Sequence, residues 1–246
     1  MAKKSKAKDA IRVIIVFLLL GVCAFSGWKV YEGWSEYRRG DKEKDRLEQY
    51  EPETKPNDDD AENKSVAELI ARYPDVVGWL KLEDSVISYP FVQTANNDDY
   101  LHRTLEGEKL SAGTLFLDYR SNADFSDFNS VIYGHLMQNG SMFGTLKEFA
   151  NQKAFWDSHK RGWIYLPSRT LELEFFAIIT VYESDRVIYG VSYPDKTSKE
   201  NFLAHVKQTA NRWRDIGVSA GDSFVCLSTC TSATSSYRYV LVGKIN

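Results

Sequence analysis

Three side-chain types in this chain suit acyl transfer: a thiol to attack, a histidine to move its proton, and an arginine to hold developing negative charge. The cysteines are Cys23, Cys226 and Cys230. Cys23 lies in an apolar N-terminal run, which leaves two for the folded part. If Cys226 and Cys230 share one strand, their four-residue spacing puts them ~13 Å apart at ~3.3 Å per residue. A disulfide needs Cα atoms within about 7 Å, so both are expected as free thiols. Cys226 sits among Phe224, Val225 and Leu227 and reads as a packed core thiol. Cys230 ends that apolar run just before the polar stretch 231–236, where a strand end leaves a thiol open to solvent. Taken alone, it suits a structural role as well as a nucleophilic one.

A thiol near its unperturbed pKa of about 8.5 needs a base or cation beside it. Four histidines compete for that place. His102 lies in a polar, helix-like stretch, and His159 and His205 lie in helical segments among charges, which suits surface positions. His135 differs, because it follows Val131-Ile132-Tyr133-Gly134 and so stands at a strand end. Gly134 there allows close backbone approach. Arg238 opens the apolar run Tyr237-Arg238-Tyr239-Val240-Leu241-Val242. It fits a simple edge charge or a fixed donor to an oxyanion.

Positioning these residues falls to a β-rich domain. Segments near Val86–Val92, Gly113–Asp118, Ser130–Tyr133, Trp163–Leu166, Leu171–Tyr182, Ser223–Thr229 and Tyr237–Ile245 are rich in β-branched and aromatic residues, and several end at Gly, Pro, Asn or Asp. Ser65-Val66-Ala67-Glu68 fits a capping box opening a helix that ends near Tyr73-Pro74. Phe202, Leu203, Val206, Ala210 and Trp213 recur at helical spacing, which predicts a helix over Ser198–Asp215. Shorter helices are expected at Met142–Ala150 and Gln152–His159. Seven or eight strands with helices between them point to a closed or nearly closed β-barrel.

The first residues carry Lys3, Lys4, Lys6, Lys8 and Arg12, followed by the uncharged run Val13–Trp28. With Ile11 and a snorkelling Arg12 this makes about 18 helical residues, or ~27 Å, close to a hydrocarbon core of about 30 Å. The basic flank favours an N-in orientation. The expected organisation is a cytoplasmic tail over 1–12, a transmembrane signal-anchor over 13–28, a polar spacer over 29–64 and a catalytic domain over 65–246. Within the spacer the first half reads as a solvated helix and the second, with Pro52, Pro56 and Asn57-Asp58-Asp59-Asp60, as disordered. A cleaved signal peptide and a lipoprotein are rival readings of the N-terminus, and all three send the remainder outside. A net charge of -3 gives no electrostatic reason for a nucleic-acid partner. No spacing of ligands suggests a metal, and no cofactor is expected.

Asn129-Ser130-Val131-Ile132-Tyr133-Gly134-His135 resembles the histidine motif of sortases. Leu227-Ser228-Thr229-Cys230 resembles their Thr-x-Thr-Cys-type signature in its class B form, and Arg238 matches the family arginine on the following strand. Further class B-like stretches are 73–80, 99–102, 113–120 and 140–144. The resemblance runs from about residue 65 onward. It implies an eight-stranded sortase barrel with N-terminal helices and a helix between strands six and seven, where the Ser198–Asp215 helix falls. It also implies transpeptidation of C-terminal sorting signals on surface proteins, with Cys230 as nucleophile, His135 as general acid and base, and Arg238 holding substrate or oxyanion. The acceptor would be a peptidoglycan-precursor amine or a pilin lysine. Ser228, Asn97 and Leu101 would line the substrate groove. One departure is Thr231, where class B enzymes often carry an acidic residue.

Two other readings lie outside this resemblance. An L,D-transpeptidase carries histidine next to its cysteine, and no histidine neighbours Cys230. An anchored, non-catalytic β-domain would leave the Cys, His and Arg set a coincidence.

Overall fold

The computed structural model describes residues 3–52, 63–230 and 235–246. They fall into two compact units, Met1–Lys42 and Glu43–Asn246.

The first unit is helical. Helix α1 (Lys3–Leu47) runs through the apolar stretch and past Trp28 without a break. Side chains from Ile11 to Leu20 are exposed, and the helix is long and apolar enough to cross a membrane. Beyond the apolar stretch, ion pairs one turn apart, Lys29 with Glu32 and Arg39 with Glu36, suit continued helix in a solvated segment. The first half of the polar stretch is thus helical as far as Leu47.

The second unit begins at Glu43. Leu47 is the reason: it is buried against Val66, Leu69 and Trp79. Nearby, Arg46 bonds the Tyr73 hydroxyl at 2.9 Å and pairs with Glu106. A 3-10 turn follows over Glu48–Tyr50. Residues 53–62, where disorder was expected, lie outside the described residues. Helix α2 (Lys64–Arg72) then covers one side of the barrel. Its start corrects the capping-box expectation. Asn63, not Ser65, is the N-cap, and no side chain caps the helix. The Asn63 amide instead donates to the Leu166 carbonyl, tying the helix start to the end of a distant strand.

Among the described residues nine strands follow: β1 (Val76–Leu82), β2 (Ser88–Val92), β3 (Leu115–Leu117), β4 (Asn129–Tyr133), β5 (Arg161–Leu166), β6 (Arg169–Tyr182), β7 (Ala210–Trp213), β8 (Ser223–Cys230) and β9 (Tyr237–Ile245). Their order is β5-β1-β2-β3-β4-β8-β9-β6-β7, and β5 also pairs with β6. That last pairing closes eight strands into a mixed barrel, as expected. β7 is a short extra strand that continues along β6 where β5 leaves off. Helices α3 (Leu146–Asn151) and α4 (Lys153–Ser158) lie between β4 and β5, and α5 (Lys196–Thr209) lies between β6 and β7. α5 thus falls between the sixth and seventh barrel strands.

The predicted helix over Ser198–Asp215 is too long. The chain turns at Ala210 into β7, because Trp213 packs edge-on against Phe176 of β6 there. β1 went unread as a strand, since five of its seven residues are buried and the apolar-polar alternation is blurred.

Side-chain alternation divides the core. Leu80, Phe91, Leu115, Ile132, Val225, Leu227 and Leu241 point inward, with Phe143 and Phe149 plugging the interior. Cys226, Val131, Val240 and Val242 face outward under Phe202 and Val206 of α5. Cys226 is fully buried, and burial pushes its thiol pKa well up, as suits a core thiol.

Candidate active site

Two ladders fix the relative positions of the candidate residues. β4 and β8 run parallel, with Tyr133 paired to Ser228 as their last couple. Two residues beyond that couple stand His135, past the end of β4, and Cys230, the last residue of β8. β8 and β9 run antiparallel, and Cys230 pairs directly with Arg238. Residues distant in sequence are therefore level at one barrel edge. Residues 231–234, Thr231 among them, lie outside the described residues.

A cleft of about 430 Å³ opens at this edge, and its lining includes His135, Arg238, Ser228, Asn97 and Leu101. The structure thus brings together the sequence-predicted residues whose side chains are described.

His135 owes its place to the residue before it. Gly134 donates its N–H to the Ser228 carbonyl, and a β-carbon there would lie 2.3 Å from Leu115 Cδ2 and 2.8 Å from Phe143 Cδ2. The His135 Nε2 stands 2.7 Å from the Leu101 carbonyl. A carbonyl only accepts, so Nε2 carries a proton and Nδ1 is left as the free base in the neutral ring. Burial lowers the His135 pKa; the Leu101 bond opposes this and nearby His102 adds to it. His102 lies in turns rather than the expected helix-like stretch.

Arg238 is held by three acceptors. One terminal nitrogen donates to the carbonyls of Ser235 (2.8 Å) and Tyr237 (3.2 Å), and the other meets Glu183 Oε2 at 2.5 Å. Glu183, just past β6, has its backbone N–H bonded to the Ser236 carbonyl. Arg238 is therefore oriented as well as charged.

Ser228 is buried and its hydroxyl pairs with the Tyr189 hydroxyl at 2.9 Å. Asn97 turns its carbonyl oxygen to the Tyr119 N–H and so shapes the cleft rim. Leu101 serves through its carbonyl as much as its side chain. The hydroxyl of Thr229 is buried and has no hydrogen-bond partner among the described residues.

Several lining residues carried no role from sequence, among them Arg120, Tyr133, Tyr189 and Glu183. Arg120 grips buried Asp118 through two nitrogens at 2.8 and 2.7 Å, and Tyr133 donates to the same carboxylate at 3.0 Å. Burial would raise the Asp118 pKa, but these contacts hold it below the ordinary carboxylate value. Burial pushes both tyrosine hydroxyls far above their ordinary pKa, so they remain protonated donors. Arg120 also reaches the Tyr189 carbonyl at 3.3 Å. The loop carrying Tyr189 is pinned again by Asn129, which donates to the Ile188 carbonyl at 3.0 Å. Arg120 and Tyr133 lay inside motif-like stretches. Glu183 and Tyr189 had no such marker, and only the β6–β9 pairing reveals the former.

A fixed arginine and a half-buried histidine with a free Nδ1 at the cleft, level with a strand-ending cysteine, form a set suited to acyl transfer. No family model matches the chain. Known proteins do. Sortase B of Listeria monocytogenes is 33% identical over 248 residues, covering 98% of both chains. The crystal structure of sortase B from B. anthracis in complex with AAEK1 superimposes with a TM-score of 0.75 at 30% identity, over 86% of this chain and 98% of that one. A Staphylococcus aureus sortase B–substrate complex gives 0.69 at 28% identity, over 74% and 85%. With that likeness spanning almost the whole chain, and the barrel the same, this protein belongs to the class B sortases, a family of cysteine transpeptidases.

Proposed function

We propose that the protein cleaves a C-terminal sorting signal after its threonine and transfers the upstream part to an amine. His135 Nδ1 takes the Cys230 thiol proton, the thiolate attacks the threonine carbonyl carbon, and the carbonyl oxygen takes the negative charge. Arg238, oriented by Glu183, Ser235 and Tyr237, donates to that oxygen or to the neighbouring substrate backbone. The carbon–nitrogen bond breaks, His135 gives its proton to the departing amine, and a thioester remains. An incoming amine then attacks the thioester, His135 takes its proton, and the Cys230 thiolate leaves. Ser228, Asn97 and Leu101 line the groove for the signal. Helix α1 anchors the enzyme, N-terminus inside, and holds the catalytic unit on the outer side. The acceptor is a peptidoglycan-precursor amine, with a pilin lysine as the alternative.

The observation that supports this reading is the register: the parallel β4–β8 ladder and the antiparallel β8–β9 ladder bring positions 135, 230 and 238 level, and His135 and Arg238 line one cleft. The test incubates the purified chain with a panel of sorting-signal peptides, with and without an amine acceptor, and reads product masses. Cleavage between threonine and the next residue, with acceptor-dependent ligation, is expected. Cys230→Ala and His135→Ala each lower the rate about 10³-fold or more, and Arg238→Ala about 10²-fold. Full cleavage by Cys230→Ala would sink the proposal. The rate follows a bell-shaped pH profile belonging to the Cys–His pair.

A further inference from the structure

A second imidazole packs against that of His135. The ring of His102 lies on it, with centroids 5.0 Å apart and planes inclined by 14°. We infer that His102 is a positioning residue for His135, its stacked ring and the adjoining Leu101 carbonyl together holding that imidazole in one plane and one tautomer. The inference rests on the reading of His135 as the proton-transfer group.

Two constraints act on the His135 ring from consecutive residues. The Leu101 carbonyl fixes which nitrogen carries the proton. His102 covers the flat face, blocking rotation out of that bond and displacing water from it. An imidazole can hold another only if its own backbone is rigid, and this segment is. The His102 carbonyl accepts from Leu110 N–H at 3.0 Å, and the Tyr100 carbonyl from Thr114 N–H at 3.1 Å. Thr114 Oγ1 donates to the Arg103 carbonyl at 2.8 Å, and the Tyr100 hydroxyl to Asp75 at 2.8 Å. Gly113 closes the segment with φ +58, and a β-carbon there would lie 2.3 Å from the Leu101 carbonyl oxygen.

The stack also couples the two charges. Two imidazolium rings at this separation repel, so His102 makes protonation of His135 harder, in the same direction as burial. The other charged groups of the cleft are Arg120, Arg238 and Glu183, and each arginine already has a carboxylate partner. His102 is itself solvent-exposed.

The test uses the full chain in detergent micelles, with isotope-labelled histidine, and two variants. His102→Phe keeps the flat face and removes the charge. His102→Ala removes both. Nuclear magnetic resonance of the His135 ring, without substrate, reads its titration midpoint and tautomer, and peptide cleavage reads kcat and KM. With His102→Phe the His135 midpoint moves to higher pH, the histidine limb of the pH–rate profile moves with it, and the tautomer is kept. With His102→Ala the single tautomer is lost and kcat falls about tenfold while KM holds. If both variants keep the parental midpoint, tautomer and pH–rate profile, the inference is overturned. Failure of the functional reading shows differently: His135→Ala would then cleave peptide as well as the parent, whatever the ring signals do. Should His102→Ala fail to fold, His102→Phe alone decides.

Discussion

A β-carbon on residue 134 has no room, with Leu115 and Phe143 both inside 3 Å. Gly134→Ala must therefore push β4 or the packed core aside. About 1–3 kcal/mol of stability is expected to go, together with most activity, since His135 is the next residue; urea denaturation and peptide cleavage check both. Asp118 makes a second residue-scale prediction. Its contacts with Arg120 and Tyr133 outweigh burial and hold its folded pKa below the ordinary 3.8. The unfolded chain therefore binds the proton first as pH drops. This stabilisation is fully present above about pH 4 and is lost as pH falls through the lowered folded value. Asp118→Asn removes that part of the acid sensitivity and costs about 2 kcal/mol at neutral pH, moderated because Arg120 is about one-third exposed; denaturation series at several pH values test this. At this scale the sequence was legible where a motif surrounded the residue, as for His135. It was silent on Glu183, because an acid after a strand means nothing until the strand beside it is known.

The capping box shows how local rules work at the scale of elements. Ser65-Val66-Ala67-Glu68 had the right letters, yet Asn63 starts α2 and spends its side chain on Leu166 instead. A true box stands at α5, where the Asp195 carboxylate accepts from Ser198 N–H at 2.8 Å and the Ser198 hydroxyl accepts from Asp195 N–H at 3.3 Å. Asp195→Ala is expected to cost about 1 kcal/mol, read as a lower melting temperature with little change in cleavage, because α5 packs on the outer face away from the cleft. Strands with a clean apolar or alternating pattern, such as β4, β8 and β9, could be read directly. β7 could not, since Ala210 and Trp213 continue the helical spacing of Phe202 and Val206 and only pairing with β6 makes them a strand. Helix periodicity alone does not record where a tertiary partner takes over.

For the whole molecule, the boundary at Glu43 has a practical meaning. A chain starting there keeps Leu47 in its cluster with Val66 and Trp79, whereas one starting at 65 loses it along with α2's first residue. The longer version is expected to melt at a higher temperature, by several degrees for about 1–2 kcal/mol, and both are expected to stay out of membranes that retain the full chain. Calorimetry and vesicle flotation check this. The β4–β8 ladder sets the order of events during folding. Its two strands run side by side, yet roughly ninety residues lie between them, so chain entropy opposes their meeting until most of the barrel exists. The edge that carries positions 135 and 230 is thus a late product of folding. Catalytic competence becomes a certificate of completion: in refolding experiments, peptide cleavage should return after tryptophan fluorescence has largely recovered, and a half-built barrel would release no reactive enzyme.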